Sequence, residues 1–177
     1  MSAELIVPGE AYLHSYLEAC RGFKERRVGL YSLHDPDTFE EWRHTIFRRF
    51  AEQRLGIGLP DGYVPGSTYW LVEGGEFIGV GNIRHRLTRS LERYGGHIGY
   101  AIRCEKWGQG YGTLQLRLLL REAAALGIAR ALITCDESNI ASARVMEKNG
   151  AVYQDTVVNW IGGVPRRTKR YWAETTA

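Results

Sequence analysis

His97-Ile98-Gly99-Tyr100-Ala101-Ile102, then Arg103 to Trp107, then Gly108-Gln109-Gly110-Tyr111-Gly112-Thr113 is the stretch whose reading decides the fold. Its first part alternates as a strand does, and its last part opens a helix that runs from Gly110 to Leu126. Glycines at three alternate positions allow backbone conformations that side chains resist, and they leave amide N–H groups bare. Bare amides at the positive end of a helix dipole form an anion site, and a phosphate or pyrophosphate is its natural guest. A helix start packed tightly on a strand also uses glycine, so the turn alone leaves both readings open.

Three phosphate-binding schemes can be compared with it. A P-loop requires Lys-Ser/Thr after its last glycine, and Gly112-Thr113-Leu114 has no lysine. A dinucleotide-binding turn requires G-x-G-x-x-G directly after the strand. Here the spacing is G-x-G-x-G, and five residues separate Ile102 from Gly108. Asp136, at the end of the next strand, would suit a ribose, but the long connector argues against that fold. The third scheme places an aliphatic residue, four spacers, Arg or Gln, two spacers and then Gly-x-Gly/Ala. Ile102, Trp107, Gly108-Gln109 and Gly110-Tyr111-Gly112 follow it, with Trp107 in place of Arg or Gln.

That third pattern resembles the signature of the GNAT acetyltransferase superfamily. The stretch Asp136 to Ala151, with Asn139 heading a helix that ends in Glu147-Lys148-Asn149-Gly150, resembles the family's second signature. The likeness is tightest from Phe77 to Val152, and Gly95 to Tyr100 with Ile133 to Asp136 looks like a bacterial branch without an assigned substrate. The resemblance implies an acetyl-CoA-dependent N-acetyltransferase that moves an acetyl group to a primary amine of a small molecule or peptide by direct attack. By that likeness Ala101 and Ile102 would offer backbone groups to pantetheine, with the Ile102 N–H polarising the thioester. Trp107, Gly108, Gln109, Gly110, Gly112 and Thr113 would surround the pyrophosphate, and Asn139 would touch the CoA arm. Asn139 is equally an ordinary helix cap.

Proton transfer is less legible. Many relatives use a tyrosine as acid where Met146 stands here, and methionine has no proton to give, which leaves Tyr153, Cys135, water or an unassisted thiolate. His97, on the same strand face as Gly99 and Ala101, is the expected base, and a histidine filling a cleft wall is the alternative. Glu105 is a second choice. Arg84, His85 and Arg86 end the neighbouring strand; they suggest an acceptor with a carboxylate or phosphate, or merely a solvated strand end. The acceptor wall is expected from the unpatterned segments 21–36 and 87–96. Without an acid, the chain could instead be a non-catalytic acyl-CoA-binding module, and glycine content alone also allows a nucleotide-binding oxidoreductase.

Outward from the turn, the rest of the chain reads as one domain over residues 1–177 in the α/β (α+β) class. The expected order is β-α-α-β-β-β-α-β-α-β-β, a mixed, mostly antiparallel sheet with helices on both faces. Glu4–Val7 is a short strand, and Tyr12 to Cys20 follows helical spacing. A helix opens at Thr38 with a capping box and buries Phe39, Trp42, Ile46 and Phe50. Strands follow at 68–73, 77–84, 97–102, 131–135, 152–160 and 166–172, with 87–96 polar and mobile-looking. The basic run Arg166 to Arg170 reads as a solvated sheet edge. A net charge of +3 is too small to argue for nucleic acid, and no apolar run approaches the ~20 residues of a membrane helix. Cys20, Cys104 and Cys135 lack metal spacing, so no metal is expected and reduced thiols point to the cytoplasm. The resemblance allows a homodimer.

Overall fold

The computed structural model describes residues 2–28 and 33–175. Seven strands form one sheet in the order β1-β2-β3-β4-β5-β7-β6. They are β1 (Glu4–Ile6), β2 (Gly66–Glu73), β3 (Glu76–Arg84), β4 (Ile98–Ile102), β5 (Arg130–Asp136), β6 (Val152–Ile161) and β7 (Val164–Glu174). All neighbours pair antiparallel except β4 and β5, which run parallel. The helices are α1 (Leu13–Glu25), α2 (Phe39–Trp42), α3 (Ile46–Leu55), α4 (Arg89–Arg93), α5 (Tyr111–Ala125) and α6 (Ile140–Lys148). The expected mixed α/β architecture is the one found.

Two cores clothe the two faces of the sheet. On one, Leu116, Leu119 and Met146 of α5 and α6 pack on Ile83, Ile98 and Ile133. Each such leucine, fully withdrawn from water, contributes about 2 kcal/mol before the entropy of ordering is set against it. Gly81 makes this close seat possible, because a Cβ there would lie 2.5 Å from the Leu119 side chain. On the other face, Tyr16 of α1 stacks on Trp70 with centroids 4.5 Å apart, and Phe77 meets both rings edge-on.

Several local expectations are corrected. The helix opening at Thr38 is two helices, because a turn at residues 43–45 separates Trp42 from Ile46. No capping box forms: Asp35 accepts the Asp37 N–H, and the Thr38 hydroxyl donates to the Asp35 carbonyl. The segment 87–96 holds α4, whose start is capped by Thr88 accepting the Leu91 N–H. The basic run is not at the sheet edge. It lies in β7, between β5 and β6, and two of its charges are met locally, Arg167 by Glu137 and Arg170 by Asp155.

Gly96 closes the loop into β4 with φ +61, and a Cβ there would stand 2.4 Å from the Leu132 carbonyl oxygen. Neither the backbone conformation nor β5 leaves room for a side chain. Gly96→Ala is therefore expected to cost about 2–4 kcal/mol, read as a lower urea midpoint at unchanged slope. An unchanged midpoint would show that β5 can yield there.

Candidate active site

The site begins where β4 and β5 part. Their register holds one pair, Ile98 with Ile133. The junction is tied on its N-terminal side by His97, whose N–H donates to the Leu132 carbonyl at 2.7 Å while its Nδ1 accepts the Leu132 N–H at 2.9 Å. Beyond Ile98 no further pair joins the two strands among the described residues. The backbone on the β4 side of this gap can be assigned by alternation. Arg84 N–H bonds the His97 carbonyl and Arg103 N–H the Ile78 carbonyl, each at 2.8 Å. The His97 carbonyl and the Arg103 N–H thus face β3, as do the backbone groups of Gly99 and Ala101 between them, and Tyr100 and Ile102 turn theirs to the gap. Ala101, expected to serve pantetheine, therefore faces β3 with its amide, and it is the Tyr100 backbone that faces the gap.

One end of the gap leads to the glycine turn. Gly108 and Gly110 take φ +75 and +88, and Gly110 heads α5 with no side chain capping it. The first amides of α5 are thus open at the positive pole of a 15-residue helix. Gly112 lies close to α6, where a Cβ would meet Val145 at 3.2 Å. Gly108, Gln109 and Gly110 are exposed and Thr113 is half-buried. The backbone thus fits a pyrophosphate. Trp107 behaves differently from the Arg or Gln it replaces. Its indole N–H donates to the Ile102 carbonyl at 2.7 Å, and the Arg26 guanidinium lies 5.7 Å from its ring. It braces the connector against β4 and is half exposed.

The other side opens into a cavity of about 700 Å³. Gly99 and Tyr100 of β4, Thr134, Cys135 and Asp136 of β5, and Asn139 and Ser142 at the start of α6 line it at the gap. The far walls come from α3 (Arg49, Phe50, Gln53), from Asn82 and Arg84 of β3, and from the two segments expected to supply them. Of the first segment Leu33 and His34 take part, and residues 29–32 lie outside the described residues. Thr88, Leu91 and Tyr94 represent the second. Asn139 is a cap, its Oδ1 accepting the Ser142 N–H at 3.0 Å, while its position on the cavity wall leaves Nδ2 for a ligand.

His97 does not line this cavity. Its ring is buried between β4 and β5, edge-on to Trp172, and burial followed by the Arg84 charge holds its pKa below the usual histidine range. Arg84 is fixed by donating from one nitrogen to the Gly95 and Gly96 carbonyls. His85 meets the Ser67 hydroxyl and does not line the cavity. Met146 is fully buried in the core. Tyr153 bonds Thr156 on the exposed side of β6, away from the gap. Cys135 reaches the cavity with its thiol pushed up to about 11 by burial. The group the sequence reading missed is Tyr100. Its hydroxyl lies 3.0 Å from Ser142 Oγ, and burial raises its pKa far above the ordinary phenol. Only the spatial approach of α6 to β4 marks it.

The sequence model of the Acetyltransferase (GNAT) domain matches residues 21–152, about three-quarters of the chain. The chain belongs to the GNAT acetyltransferase family. GNAT membership makes it an acetyl-CoA-dependent N-acetyltransferase acting on an amine. No curated protein matches significantly. Among solved structures, RimL, the ribosomal L7/L12 alpha-N-protein acetyltransferase in complex with coenzyme A, superposes with a TM-score of 0.71 at 19% identity, over 97% of this chain and 93% of that one. The Microcin C7 self immunity acetyltransferase MccE, in complex with acetyl-CoA and AMP, gives 0.67 at 14%, over 97% and 92%. A spermidine N-acetyltransferase SpeG chimera from Vibrio cholerae and hSSAT gives 0.63 at 14%, over 99% and 97%. At such identities the likeness is one of fold. Among the described residues no helix is long and apolar enough to cross a membrane, and no cluster of three metal-ligating side chains occurs.

His34 carries a pH dependence. Its ring, paired through Nδ1 with the Tyr16 hydroxyl at 2.9 Å, has its pKa lowered to about 4, by burial first and then by Arg49. The unfolded chain takes this proton near pH 6.5, the folded one only near 4, so the stability is full above 6.5 and lost as the pH falls to 4. The loss should reach about 3 kcal/mol. Urea unfolding of the wild type between pH 7 and 4 should be steeper by that amount than that of His34→Gln; parallel profiles would contradict it.

Proposed function

We propose that acetyl-CoA lies along β4 with its pyrophosphate on the α5 N-terminus and its thioester in the gap beside Tyr100, where the acceptor amine arrives from the cavity. The observation that carries this reading is the single Ile98–Ile133 bridge, beyond which the two strands leave a gap that opens into the cavity, with the glycine turn following the end of β4. In this reading the amides at Gly108, Gly110, Gly112 and Thr113 take the phosphates, with Gln109 at their rim. Asn139 Nδ2 and the Ile102 N–H meet the arm and the thioester, and the N–H polarises its carbonyl.

The amine nitrogen bonds to the thioester carbon, and the C–S bond then breaks with its electron pair left on sulfur. The Tyr100 hydroxyl gives its proton to that sulfur, and the proton released by the acetylated nitrogen returns to Tyr100 along Ser142. Free thiol and amide result, with no proton gained or lost. Burial raises the Tyr100 pKa and so makes its hydroxyl a weaker acid, which is why its donation to sulfur has to be coupled to the proton returning along Ser142. The arginines on the cavity wall favour the neutral form of an entering amine, and the proton of its ammonium leaves to solvent through the open cavity. His97 then acts as a positioning residue at the point where the strands part.

Tyr100→Phe should lower kcat by about 10²-fold with little change in the acetyl-CoA KM, while Cys135→Ala stays close to wild type. Equal loss in the two variants, or none in Tyr100→Phe, would remove the tyrosine from the mechanism. His97→Ala tests the histidine. A loss of acetyl-CoA affinity together with turnover fits positioning, whereas a pure kcat loss that follows an ionisation near neutrality would make it the base. Acetyl-CoA binding without acceptor-dependent release of CoA across an amine panel would favour the binding-module alternative.

A further inference from the structure

The cavity wall is lopsided in charge. Arg49 from α3, Arg84 from β3 and Arg166 from β7 line it, against one carboxylate, Asp136. That carboxylate is held charged by the N–H and the hydroxyl of Ser138 at its Oδ1 and then by Arg166, so it offsets one of the three arginines and leaves the wall with an excess of positive charge. Arg166 contrasts with its neighbours in the basic run: Arg167 and Arg170 meet Glu137 and Asp155, but no described carboxylate pairs with Arg166 or with Arg49. The resulting field acts on the histidines nearby. After burial, Arg49 is what lowers His34, and Arg84 what lowers His97.

Such a wall repels a polycation and leaves a purely cationic amine poorly held. It also fixes where a negative group would sit. Asn82 lies opposite Gly99 in the register, and Arg84 is two residues further along β3. The backbone at Arg84 is therefore roughly 5 Å across and about 7 Å along from Gly99 at the gap. A guanidinium can span part of that distance, so a few bonds suffice to join an amine at the thioester to an anion at the arginines.

We infer that the acceptor is a compact primary amine that also carries an anionic group, a carboxylate or a phosphate, which Arg49, Arg84 and Arg166 hold while the amine meets the thioester. The inference rests on the acetyl-transfer reading above. Asn82, Gln53 and Thr134 supply neutral hydrogen-bonding groups on the same wall. A polyamine is the acceptor class this wall selects against.

The test uses the full chain with acetyl-CoA and matched pairs of amines: O-phosphoethanolamine against ethanolamine, glutamate against its diamide, and spermidine alone. The anionic member should lead its neutral partner in kcat/KM, per neutral amine, by at least about tenfold. The phosphate and carboxylate arms tell the two anions apart. In the folded double variant R49Q/R166Q, checked by its Tm, that ratio should fall several-fold, through KM. Neutral amines or spermidine preferred by the wild type, or a ratio unmoved in the double variant, would overturn the inference. If no amine turns over, calorimetric binding of each pair to the CoA-saturated protein decides it, and equal binding of anionic and neutral partners counts against it. A protein that does not bind acetyl-CoA overturns the transfer reading instead.

Discussion

The molecule's function depends on a pairing that stops. Parallel strands normally exchange evenly spaced hydrogen bonds along their length, and an unpaired strand edge inside a sheet leaves peptide groups without partners. Here the ladder between β4 and β5 closes only at Ile98 and Ile133, and the His97 ring reinforces that point by accepting the Leu132 amide. The exposed edge beyond it is tolerable because other groups use it. Trp107 takes the Ile102 carbonyl, and Tyr100, Thr134 and Asp136 lie along the open cavity. A histidine spent on this junction is one that cannot also face the substrate.

The electrostatics follow the same division. At the glycine turn the positive character comes from peptide dipoles, which have fixed direction and no titration. In the cavity it comes from guanidinium groups on α3, β3 and β7, carried by side chains that can adapt to a ligand. Histidines beside those arginines are kept neutral by burial and by the neighbouring charge, so near pH 7 they serve as structural polar groups.

Most of the fold was legible because its signals are local. The glycine turn, the helix that follows it, the Asn139 cap and the hairpin at Gly162-Gly163 are each specified by adjacent residues, and each lies where its pattern put it. The errors arose where tertiary context decides. Phe39, Trp42, Ile46 and Phe50 keep one apolar phase across a break at residues 43–45, so periodicity alone saw a single helix. The basic run reads as an edge because nothing in its own residues reveals that β6 folds back outside β7. For the site, the turn was readable but its counterpart was not. Whether His97 or Tyr100 faces the cavity depends on which strand each backbone bonds to, and Arg49 comes to the wall from a helix far earlier in the sequence.

The missing side chain at Gly81 reaches further than packing. Because Leu119 sits directly on the β3 backbone, α5 rides low over the sheet, and its first turn is held at a set height above the end of the gap. A ligand with a phosphate at one end and a thioester at the other has an arm of fixed length. In the proposed mode of binding, the helix's elevation would fix the span between dipole and gap, and so which length of arm reaches. A lengthened core side chain under α5 would alter which arms reach, without touching any atom that binds them.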